Sequence, residues 1–148
     1  MITTATRPTG TGAPGYSESL PREPESAQRA RLLVSAALNA WGIGELADVA
    51  KLVVSELVNN SVNHTKCHAI RVRISREGRD LVRIGVVDKS RDLPVLGKPD
   101  DNAEEGRGLF LVDAMSQNWG YDRKHWGKIV WAELCTTPAD RAAAKRSA

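Results

Sequence analysis

At 148 residues the chain is long enough for one domain with a real core, and 41% apolar and 26% charged residues are ordinary for a globular protein. No apolar run approaches the roughly 20 residues of a membrane span, no secretory signal pattern opens the chain, and two cysteines, Cys67 and Cys135, make no disulfide framework, so the reading is cytoplasmic. A net charge of +3 raises nucleic acid as a partner, but three basic residues against one acid lie after residue 137 and no basic stripe with interleaved aromatics runs through the rest, so direct nucleic-acid binding is not expected.

Residues 1–19 are mostly Thr, Gly, Pro and other small or polar side chains and read as a disordered leader. Pro24, with Glu23 and Glu25 at the positive end of a helix dipole, suits a first helical turn. Ala30, Leu33, Val34, Ala37, Leu38 and Trp41 then recur at three and four, and Gly42 ends that helix. A second helix runs from about residue 45 to 65. Its stripe is Leu46, Ala50, Val53, Val54, Leu57 and Ser61, and Glu56, Asn60, Asn63 and His64 fall on the border of that stripe. Polar groups beside a core must be hydrogen-bonded, ion-bound or facing a cavity.

Residues 69–75 alternate as a strand, with Ile70, Val72 and Ile74 on one face and Arg71 and Arg73 on the other. Turn residues follow at 77–80, and a second strand over 81–87 ends at Asp88. Residues 89–105 are charged, contain Pro94, Gly97 and Pro99, and lack periodicity. A loop of that length inside a domain is expected to be a lid or a disordered insert. Gly106-Arg107-Gly108 closes it, and a short helix over 109–115 follows. Strands are expected at 119–122 and 129–135, with Gly127-Lys128 in the turn before the last one. The domain so defined spans residues 20–136, with a flexible basic tail over 137–148. Its element order predicts an α+β two-layer sandwich, a mostly antiparallel sheet covered on one face by helices.

Glu56, Asn60 and His64, spaced by four, resemble the N-box of the GHKL ATPases, the superfamily that includes gyrase and the histidine kinases. The order of elements is that of its Bergerat ATP-binding fold. The likeness is strongest to anti-sigma-factor serine kinases and their actinobacterial relatives, a branch that Trp41-Gly42, Trp119-Gly120 and the run from Gly127 to Leu134 also fit. The resemblance implies ATP and Mg²⁺ as ligands. It implies Glu56 as the general base, Asn60 as the Mg²⁺ ligand, and Asn63 and His64 near the nucleotide. Asp88 would accept a hydrogen bond from the adenine amino group. Gly106, Arg107, Gly108 and Leu109 resemble the second glycine box, where backbone N–H groups and a helix N-terminus approach phosphate.

Two departures stand out. The pattern Asp-x-Gly-x-Gly is here Asp88-Lys89-Ser90-Arg91-Asp92, without either glycine, leaving Ser90 as the small residue a base could approach. Ile129 is read as standing where the branch usually has a hydroxyl residue, which removes one polar contact. The implied partners are a sigma factor, an anti-sigma-factor antagonist or both, with the first helix as a surface for a partner or a homodimer. The alternative is a catalytically inactive nucleotide-binding or protein-interaction module of the same fold. A zinc site at His64, Cys67 and His68 is disfavoured, since only the distant His125 remains as a fourth ligand.

Overall fold

The computed structural model describes residues 5–8, 14–64, 67–90 and 104–136. Six strands form one sheet: β1 (Ala5–Pro8), β2 (Pro14–Pro21), β3 (Ala69–Gly78), β4 (Leu81–Asp88), β5 (Asn118–Lys124) and β6 (Gly127–Cys135). Their spatial order is β1-β2-β3-β4-β6-β5, and every neighbouring pair is antiparallel. Three helices, α1 (Ser26–Ala40), α2 (Ala47–His64) and α3 (Glu104–Met115), cover one face. The α+β class and the two layers agree with the sequence reading.

Alternation fixes the inner face. Val72 and Ile74 of β3, Val82, Ile84 and Val86 of β4, and Val130, Ala132 and Leu134 of β6 are all buried beneath the helices. Register aligns them in rows, with Val72, Val86 and Val130 in one and Ile74, Ile84 and Ala132 in the next. Helix α2 is central. It packs between α1 and α3 and over β4 and β6, burying Ala50, Val53, Val54, Leu57 and Val58.

Helix α1 buries Ala30, Leu33, Val34, Ala37 and Leu38, as its spacing predicts. Its end is a Schellman motif. Ile43 N–H donates to the Leu38 carbonyl at 2.9 Å and Gly42 N–H to the Asn39 carbonyl at 3.1 Å. Gly42 takes φ +74°, which a side chain would disfavour. A single 3-10 turn, Gly44–Leu46, leads into α2. At its other end α2 is held by Arg22, which donates to the Val62 carbonyl at 3.0 Å and the Cys67 carbonyl at 2.6 Å. A cation on the last carbonyls of a helix also complements its dipole.

Three expectations are corrected. Residues 5–8 and 14–19, read as part of a disordered leader, belong to β1 and β2, and β2 pairs with β3 from Gly15 to Pro21. Composition hid β2 because its inward positions hold Tyr16 and Glu18 as well as Leu20, so no apolar alternation shows. Tyr16 packs against Trp41 with ring centroids 5.6 Å apart, and Glu18 is buried with Arg29 3.7 Å from its carboxylate. Gly127 and Lys128 are strand, not turn. Helix α3 begins at Glu104, so Gly106-Arg107-Gly108 lies within its first turns rather than before it. Most of the expected lid, residues 91–103, is outside the described residues.

Candidate functional site

The last residue of β4 and the second of β6 are partners in register, Asp88 opposite Lys128. Both point inward, because Asp88 continues the alternation of Val82, Ile84 and Val86, and Lys128 that of Val130, Ala132 and Leu134. Their side chains are 0% and 2% exposed, and Lys128 Nζ lies 3.0 Å from Asp88 Oδ1. An ion pair this deep persists only when further hydrogen bonds satisfy it. Ser90 N–H donates to Asp88 Oδ1 at 3.0 Å, and Lys128 also donates to the Ser90 carbonyl at 3.2 Å. The hydroxyl of Ser61 donates to Asp88 Oδ2 at 2.8 Å.

That last bond ties the end of the sheet to α2. Ser61 follows Asn60 in sequence, so the helix that carries the predicted N-box is joined to Asp88. Asn60 is 6% exposed, and its Nδ2 has no hydrogen-bond partner among the described residues. A buried amide with an orphaned end leaves a position where an ordered water or a ligand can bond. A half-turn about its terminal torsion would present the amide oxygen there instead. Glu56 is half-buried one turn before it. Asn63 and His64 lie in the last turn of α2 and are exposed, outside the buried network. Leu109 is fully buried in the core, so its side chain contributes packing rather than a ligand contact.

Sequence reasoning assigned roles to Asp88 and Ser90 but missed Lys128 and Ser61. Extending the alternation of Val130, Ala132 and Leu134 back by one pair of residues would have turned Lys128 inward. The same period corrects the reading of Ile129. It is half-buried on the opposite face, where its Cγ2 stands 3.4 Å from the position a Cβ on Gly85 would occupy. The β6 side chain that reaches Asp88 is therefore Lys128, and Ile129 faces away from it.

Gly127 makes the approach possible. A Cβ there would lie 2.2 Å from the Asp88 carbonyl oxygen and 2.6 Å from Lys89 Cα. Gly127→Ala must push β6 away from the Asp88 backbone, and overpacking of this kind typically costs about 1–3 kcal/mol. We expect a lower melting temperature and weaker ligand binding at Asp88. An unchanged melt would show that the backbone yields there.

Strand order, a central helix with a buried polar C-terminal half, and an aspartate closing β4 coincide with a family match. The sequence profile of the histidine kinase-like ATPase domain matches residues 20–134, from the end of β2 through β6 and including all three helices. The chain belongs to this family. No curated protein matches the chain. A histidine kinase-like ATPase domain is an ATP-binding domain of the GHKL type, and the buried network fits such a ligand. Asp88 carries about four lone-pair positions, three of which are filled by the donors named above. One acceptor position remains for an amino group, and Asn60 offers its orphaned amide nearby in sequence to Ser61. Among the described residues, no helix of this ATPase domain is long and apolar enough to cross a membrane.

Proposed function

We propose that this ATPase domain binds Mg·ATP and acts as a regulator resembling the anti-sigma-factor serine kinases, transferring the γ-phosphate to a serine of an antagonist protein, sequestering a sigma factor, or both. The observation that carries the reading is the junction of α2 and β4 through Ser61 and Asp88, which gathers Glu56, Asn60 and Asp88 on adjoining elements. In this reading Asp88 accepts the adenine amino group, and the first turn of α3, which includes Gly106, turns its N–H groups toward phosphate. Asn60 holds Mg²⁺ through its amide oxygen, a hard ligand suited to that ion. Mg²⁺, when bound, neutralises phosphate charge. Glu56 takes the proton of the attacking serine hydroxyl.

The rival reading is a binding module of the same fold without phosphoryl transfer. The segment Asp88-Lys89-Ser90-Arg91-Asp92 favours it, since no glycine opens the backbone there. The test uses purified protein and labelled ATP, with and without candidate antagonist proteins. ATP and ADP are expected to bind in preference to GTP, because guanine presents a carbonyl where adenine has its amino group. Equal binding of GTP would remove Asp88 from base recognition. Nucleotide binding without transfer to any antagonist and without hydrolysis would favour the module.

A further inference from the structure

The buried network leaves one donor on Lys128 and one acceptor on Asp88, two side chains in direct contact at 3.0 Å. A lysine ammonium has three N–H groups. Asp88 Oδ1 and the Ser90 carbonyl take two of those on Lys128. On the carboxylate, Oδ1 already accepts from Ser90 N–H and Lys128, whereas Oδ2 accepts only from Ser61. Among the described residues, neither Asp88 nor Lys128 has a further partner. Leaving a charged donor part-satisfied at 2% exposure is costly, so a ligand that brings an acceptor is favoured there.

The base edge of adenine carries a donor, its exocyclic amino group, directly beside an acceptor, the ring nitrogen N1. That pair complements the pair left open here. We propose that Lys128 is a specificity-determining residue whose third N–H donates to N1 of adenine while the amino group donates to Asp88 Oδ2. The inference rests on the reading that Asp88 marks the base site. Held in the same pose, guanine turns a carbonyl toward the carboxylate and an N–H toward the ammonium. Both contacts are then repulsive, so Lys128 adds to the discrimination that Asp88 begins. A lysine that only balanced the charge of Asp88 would be indifferent to N1.

The test compares ATP with 1-deaza-ATP, which keeps the amino group and has C–H in place of N1. Titrations with Mg²⁺ use the unmodified full chain, so no variant has to fold. The unmodified protein is expected to bind ATP at least about tenfold more tightly, the scale of one hydrogen bond to a charged group. Lys128→Met, once a thermal melt shows it folded, is expected to bind the two nucleotides equally. Equal affinities in the unmodified protein would overturn the role of Lys128 while leaving the ATP site intact. Failure to bind ATP at all would overturn the proposed function and this inference with it.

Discussion

Glu56→Gln is expected to lower phosphoryl transfer by about 10²–10⁴-fold, the usual contribution of a general base, while nucleotide affinity stays within a few fold. The split follows from when each group acts. A base on the nucleophile contributes mainly in the transition state, and a group holding the metal contributes already in the ground state. Asn60→Ala should therefore lose Mg²⁺-dependent affinity together with transfer. Glutamine keeps the shape of the half-buried Glu56, so the helix is little disturbed. Thermal melts of both variants establish that α2 is intact before rates are compared. Full transfer by Glu56→Gln would exclude Glu56 as the base.

Asp88→Ala should destabilise the fold by about 3–5 kcal/mol, because it strands the Lys128 ammonium at the edge of the core. It should also weaken the binding of adenine nucleotides and reduce the preference for them over guanine nucleotides. The two effects can be separated. Replacing a whole buried ion pair with apolar side chains is often neutral. Asp88→Leu combined with Lys128→Met is accordingly expected to recover most of the lost stability without recovering nucleotide binding. A double-mutant cycle on thermal melts reads the coupling between the two residues, and isothermal titration reads the ligand. If the double variant bound ATP as tightly as the unmodified chain, the pair would be structural and the base would sit elsewhere.

Much of this architecture is local in origin. The spacing of Ala30, Leu33, Val34, Ala37 and Leu38 determines α1, and the glycine at position 42 determines where it stops, because both depend only on residues within a turn or two. The alternation of β3 and β4 and the stripe of α2 are legible for the same reason. Glu56 and Asn60 on the border of the α2 stripe and Asp88 at the end of β4 are legible as positions in the same way, and it is the resemblance to the GHKL boxes that makes them site candidates.

What the linear order could not show is how those positions meet. Strand β2 carries Tyr16 and Glu18 on its inner face, and only pairing with β3 and the cover of α1 make it a strand of the core. Lys128 looks like a solvated turn residue, as most lysines outside a periodic segment are. It becomes buried because antiparallel register sets it opposite Asp88, forty residues away, and because Gly127 lets β6 begin hard against the Asp88 backbone. Ser61 reads as a small residue on the helix stripe until α2 settles over β4 and brings its hydroxyl to the same carboxylate. Which side chains are polar and which face they share is written in the sequence. Which of them neutralise one another is decided by register and helix placement, since an ion pair and its hydrogen bonds depend on distances of about 3 Å that only the assembled sheet and helix layer impose.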